Sequence, residues 1–319
     1  MSRRRQREAR AEVNHSLCQS VHVRDPAGQT LLLSHDDYRA EVVTVGAGLR
    51  SLTHGGVDVV AGYPAGAICP DYRGWVLMPW PNRVADGGYE FGGTTYQLPL
   101  NELPQHNALH GLVGWLPWTV GSYVGRRAAL HLGLPPQTGY PFALDLTVTY
   151  ELGDDGLHVI LTAHNVGDGP APYGTGHHPY LTLGRPVDDL LLSVPATAYC
   201  PMDERGLPSR PRPVGGTPYD FREPRPVGGT VLDHPFTGLL DPTVSVTDPD
   251  SGRGIAVTLG EGFDWVHVFS CDTQEPARQA IAIEATTCPP DAFRSGLDLV
   301  TLEPGGTHRA SYTLSVTGS

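Results

Sequence analysis

The feature that most constrains the fold is a missing period. Past residue 30 no stretch of a dozen residues carries apolar side chains at helical spacing between recognisable caps. Instead, residues 41–45, 130–134, 143–150, 157–163, 243–247, 265–269 and 310–316 alternate apolar and polar side chains, the period of two that half-buried strands require. Clusters of Gly, Pro, Asp and Asn separate them, drawn from 39 glycines and 30 prolines. A chain written this way folds as antiparallel β, and its one-sided strands are covered by packing two sheets face to face. The expected architecture is an all-β, large antiparallel β-sandwich, with residues 29–319 as a single domain after a tail over residues 1–28.

Composition removes several function classes. All 22 basic residues are arginine, so no lysine is present to form a Schiff base or to close a phosphate-binding loop. The net charge of −12 gives neither nucleic acid nor an anionic membrane surface a reason to bind, and no apolar run approaches the length of a membrane span. Five scattered cysteines without a CxxC pair read as reduced thiols, and the charged stretch at residues 1–12 lacks the apolar middle of a secretion signal. These features together predict a cytoplasmic protein. The Pro-, Gly- and Arg-rich segment 201–235 is interrupted by Tyr219 and Phe221, which makes it an ordered connection rather than a domain boundary.

Four polar clusters stand out from the strands. In Met78-Pro79-Trp80-Pro81-Asn82-Arg83, a guanidinium fork sits beside an amide and an indole, groups suited to sugar hydroxyls and to the apolar face of a sugar ring. Trp80 or Trp115 is then a candidate floor for a cleft. In Asn107-Ala108-Leu109-His110-Gly111, the glycine allows close backbone approach beside a histidine. Gly174-Thr175-Gly176-His177-His178-Pro179-Tyr180 holds two adjacent imidazoles whose side chains, on a strand, point to opposite faces, so one serves the site and the other supports it. Finally, Glu284 follows an apolar run, where desolvation raises carboxylate basicity. A glutamate with histidines means general acid–base work or a metal site; the spacings are not those of HExxH or HxH, so no metal is expected. No Gly-x-Ser-x-Gly elbow marks a serine hydrolase.

Read in order, these motifs resemble the aldose 1-epimerase (galactose mutarotase-like) family. The resemblance runs through Pro81-Asn82-Arg83, Asn107 to Gly111, His178-Pro179-Tyr180, Asp233-His234-Pro235-Phe236, and Glu284 with Pro290-Asp291-Ala292. It implies a sugar cleft on one face of the sandwich and no cofactor. It also implies Glu284 as general base, His178 as general acid, His110 as a donor near the ring oxygen, and Arg83 and Asp233 as hydroxyl holders. Asn82, His177 and Trp80 complete the expected substrate contacts. Many members carry asparagine where His177 stands, and proline where Ala285 follows the glutamate. The first departure resembles a bacterial subgroup with His-Pro-Tyr in this place, some of whose members act on sulfoquinovose and others on ordinary hexoses.

The expected function is interconversion of the anomers of a free aldohexose, by a monomer or homodimer whose partner is the small sugar itself. A mutarotase of a sulfonated or phosphorylated hexose, using Arg73, Arg83 and Arg294, and a non-catalytic sugar binder remain open at this point. Because a glutamate beside His178 stabilises the imidazolium, the basic limb of the pH–rate profile is expected above about 6.5.

Overall fold

In the computed structural model, which describes residues 25–318, nearly all regular structure is strand. The α-helix Ala292–Ser295 and the single 3-10 turn Val187–Asp189 are the only helical elements among the described residues. None is long and apolar enough to cross a membrane. Most of the expected tail, through residue 24, lies outside the described residues, as does Cys18; the other four cysteines are free and buried.

Two large antiparallel sheets form the sandwich. The first runs Thr30–His35, Tyr38–Val43, Leu49–His54, Val57–Val60, Tyr180–Leu181, Ile281–Thr286, Trp265–Phe269, Asp233–Leu239, Ala196–Tyr199 and Arg212–Pro213, with Gly176–His177 and Val76–Leu77 joined beside Ile281–Thr286. The second runs Thr119–Val124, Arg127–Leu134, Leu144–Gly153, Gly156–Asn165, Thr307–Thr317, Gly254–Leu259, Thr243–Thr247, Leu191–Ser193 and Arg225–Pro226. All seven alternating segments lie in or overlap these strands.

The alternation explains the packing. In Gly156–Asn165 the side chains of Leu157, Val159, Leu161 and Ala163 are wholly buried, and the residues between most of them stay partly exposed. They meet Val266, Val268, Ile281 and Ile283 of the first sheet in one continuous core. Burying each such aliphatic side chain stabilises the fold by roughly 1.5–3 kcal/mol. Segment 201–235 is an ordered connection, because Val214, Phe221, Val227 and Leu232 are buried. Its two short strands add to the far ends of both sheets.

Strand Ile281–Thr286 positions the site. Ile281, Ile283 and Ala285 enter the core, so the period of two turns Glu284 to the opposite face. That outer face is walled by the Arg83–Ala85 and Asn107–Leu109 pair and by loop residues from 71–72, 202–206 and 272–274.

Candidate active site

The cleft over this face has a volume of about 680 Å³, within the ~300–1,000 Å³ usual for small-molecule sites. Glu284 is 2% exposed. Its Oε1 lies 3.5 Å from His178 Nε2, and its Oε2 has no hydrogen-bond partner in the protein. His178 Nδ1 is equally unpartnered and buried. Two buried polar atoms left bare in one cleft mark a place where a ligand supplies the missing partners. The His178 ring is held by stacking: Tyr180 lies parallel to it at 4.8 Å, and the His110 ring meets it at 5.2 Å and a steep angle.

His110 comes from a turn that the sequence forces. Its φ is +61°, and at Gly111 an added Cβ would stand 2.0 Å from the Met78 carbonyl oxygen, so only glycine fits. The backbone N–H of Asn82 donates to His110 Nδ1 at 3.2 Å, which leaves the proton of the neutral ring on Nε2. Burial, then the charges of His178 and Arg83, pushes His110 well below the usual histidine pKa, which favours the neutral ring with an Nε2–H to donate.

Arg83 donates from Nε to both oxygens of Glu102 at 3.0 and 3.1 Å, and its Nη1 lies 3.3 Å from Asn82 Oδ1 and 3.5 Å from Asp233 Oδ2. Asp291 braces this strand through Oδ1, which accepts from the Ala85 N–H, while its own N–H donates to the Arg83 carbonyl. The other oxygen of Asp233 is 2.7 Å from His267 Nε2. Burial would raise Asp233, but the His267 hydrogen bond and the charges of His267 and Arg83 hold it well below the usual carboxylate range.

The structure therefore brings Glu284, His178, His110, Arg83, Asn82 and Asp233 to one cleft and leaves two expected contacts outside it. Trp80 does not floor the cleft; it is 2% exposed and packs on Phe293 in the core. His177 does not contact the cleft either. It faces the second sheet, where its ring meets Tyr312 and Tyr150. Trp115 is exposed, edge-on to Trp75, and is not part of the cleft.

The cleft also contains residues that the motifs did not reveal. His267 stands directly across from Glu284 in the strand register. Its signal was available: Val266 and Val268 take the core face, which sends His267 to the other. Glu102, half-buried against Arg83, carried no pattern of its own, and Tyr180, stacked on His178, entered only as the end of the His178-Pro179-Tyr180 motif.

Charge in the cleft departs from the sequence expectation. Burial raises Glu284 to about 7, with Asp233 adding to the rise and His267 and Arg83 opposing it. For His178, burial, joined by the charges of His267 and His177, outweighs the pull of Asp233 and pushes the ring far below its usual pKa. The expectation of a raised His178 is thus overturned: desolvation and the neighbouring histidines penalise the imidazolium more than Asp233 rewards it. Below about pH 7 the pair holds one titrating proton, and it sits on Glu284.

Nor do three arginines converge. Arg73 lies over the Tyr180 ring at 4.7 Å, and Arg294 pairs with Asp291 away from the cleft. Lining the cleft are seven carboxylates (Asp71, Glu102, Asp203, Glu204, Asp233, Asp272, Glu284) and two guanidiniums, Arg83 and Arg205, each already paired with acids.

Among the described residues, one group could gather metal-ligating atoms, His35, Asp36 and Asp154, and it is not part of the cleft.

Known proteins resemble this chain in sequence and in fold. The uncharacterized protein YihR of Escherichia coli K12 is 38% identical over 291 residues, covering 90% of this chain and 93% of that protein. The galactose mutarotase of Mus musculus is 31% identical over 175 residues, 52% of this chain and 50% of that one. Among solved structures, the GalM/aldose epimerase homologue from C. elegans superposes with a TM-score of 0.81 at 20% identity, covering 91% and 99% of the two chains. With the sequence profile described as aldose 1-epimerase matching residues 29–315, the chain belongs to the aldose 1-epimerase family.

Proposed function

We propose that the protein is a mutarotase that interconverts the α and β anomers of a neutral aldohexose such as glucose or galactose. The observation that carries this reading is the buried Glu284–His178 pair, 3.5 Å apart, each with one unpartnered polar atom at the cleft. A non-catalytic binder gains nothing from two desolvated titratable groups held this close, which cost stability to bury.

Ring opening needs a proton taken from O1 and another given to O5. Moving the resting proton from Glu284 to His178 across the 3.5 Å contact creates a carboxylate and an imidazolium without uptake from solvent. Glu284 then accepts the O1 proton, the O–H electrons form the C1=O1 bond, the C1–O5 bond breaks, and O5 takes the proton from His178. Rotation about C1–C2 presents the other face; as O5 closes on C1, Glu284 returns its proton to O1 and His178 takes back the proton from O5. Positioned proton transfers of this kind typically contribute about 10²–10⁴-fold each. The His110 N–H supports the charge change at O5, and Arg83 with Asp233 orients hydroxyls. The chemistry requires proton donors and acceptors only, so no cofactor enters the proposal.

The charge around the cleft favours a neutral sugar over a sulfonated or phosphorylated one. An anionic group would enter among six carboxylates besides Glu284 with both lining guanidiniums already engaged, whereas hydroxyls can donate to those same acids. NMR of freshly dissolved α-glucose, α-galactose, a hexose 6-phosphate and sulfoquinovose, each with and without protein, tests this. Faster anomerisation of the neutral sugars supports the proposal, and catalysis confined to the anionic sugars refutes the substrate assignment.

A further inference from the structure

The acid–base step does not use His177, yet both nitrogens of that wholly buried ring are committed. Nδ1 lies 2.5 Å from the Tyr312 hydroxyl; Nε2 lies 3.0 Å from the Gly74 carbonyl oxygen and 3.1 Å from the Tyr150 hydroxyl. A carbonyl only accepts, so Nε2 carries the proton and Nδ1 accepts from Tyr312. Tyr150 donates its own proton to the Ala47 carbonyl at 2.6 Å. Tyr150 and Tyr312 belong to Leu144–Gly153 and Thr307–Thr317 of the second sheet, whereas Gly176–His177 belongs to the first. The ring therefore spans the sandwich.

What it grips is the segment that holds the His178 backbone. The Gly74 N–H donates to the His178 carbonyl at 2.8 Å, and the His178 N–H donates to the Trp75 carbonyl at 3.1 Å. Gly74 has φ +73°, and an added Cβ would stand 2.0 Å from the Leu49 carbonyl oxygen, so only glycine fits there. With His178 Nδ1 unpartnered, the backbone and the Tyr180 stack carry the orientation of its imidazole.

We propose that His177 is a positioning residue for the proton donor: by tying the Gly74 carbonyl to two tyrosines of the opposite sheet, it fixes the backbone from which His178 reaches the cleft. The kinetic readout of this proposal rests on the mutarotase reading; the structural readout does not.

Two double variants separate positioning from packing. In both, Tyr312→Phe removes the hydroxyl that would otherwise be orphaned. With His177→Gln the side-chain amide can still donate to Gly74, and with His177→Met it cannot. Relative to the Gln variant, the Met variant is expected to exchange the Gly74 and His178 amides at least tenfold faster, with exchange along Gly156–Asn165 equal in the two. Its kcat should be at least tenfold lower with KM within twofold. Equal exchange at the two amides overturns the proposal, and faster exchange with equal kcat overturns it as well. If the wild-type protein does not anomerise sugars, the mutarotase reading fails separately and the exchange comparison alone decides the tie.

Discussion

Replacing Glu284 by Gln keeps the side-chain shape and removes the charge, so it should trade activity for stability in a pH-dependent way. The folded protein holds the Glu284 pKa at about 7 against an ordinary value of 4.5. Below pH 4.5 the carboxyl is protonated whether the chain is folded or not, and its ionisation affects neither state. Between 4.5 and about 7 the unfolded chain gives up the proton while the folded chain retains it, so wild-type stability falls as pH rises through this window. A shift of this size at about 1.4 kcal/mol per unit amounts to on the order of 3 kcal/mol, fully lost above pH 7. The glutamine variant has no such loss. Urea unfolding at pH 4 and pH 8 should therefore show the Gln variant gaining stability over wild type by on the order of 3 kcal/mol between the two conditions, while mutarotation at pH 7 drops at least 100-fold. Parallel stability profiles for the two proteins would refute the claim that this carboxyl is desolvated.

Four further outcomes are expected. His178→Asn should lower kcat by at least 100-fold, and His177→Asn should cost much less; equal losses would contradict the division between a cleft-facing and a core-facing histidine. The pH–rate profile should fall as pH rises past about 7, where the pair loses its only proton, and should hold on the acid side until well below 6.5, where His178 takes up a second. A basic limb two units higher would restore the imidazolium as the resting state. Gly206→Ala places a Cβ 2.6 Å from Arg83 Cζ at a φ of +69°, a left-handed position that costs a side chain ~1–2 kcal/mol; KM should rise severalfold with kcat little changed, and an unaltered KM would mean Arg83 does not hold the sugar. Dialysis against EDTA should leave the rate unchanged, whereas a loss restored by zinc or manganese would place His110 and His178 in a ligand set.

The sandwich was legible because its strands are one-sided: Leu157, Val159, Leu161 and Ala163 announce a core face by period alone. The same rule separated His177 from His178, although alternation cannot say which of two neighbours faces the sugar; the Tyr150 and Tyr312 hydroxyls waiting in the core decide it. Trp80 was misread because Pro79 and Pro81 break any strand period around it, and its indole follows the apolar space beside Phe293. The state of His178 was hidden for a different reason. Its desolvation comes from His110, Tyr180 and neighbouring walls that the fold assembles around it, and only their packing shows that burial outweighs the attraction of a nearby carboxylate, Asp233.

The central claim is that Glu284 and His178 open and close a sugar ring by moving protons. Polarimetry of freshly dissolved α-D-galactose and α-D-glucose, with buffer alone, wild-type protein and the Glu284→Gln variant, tests it most directly. Wild type should bring at least one of the two sugars to anomeric equilibrium far faster than buffer does, and the variant should restore nearly the buffer rate. Wild-type traces that overlay buffer for both sugars, or a variant as fast as wild type, would contradict it.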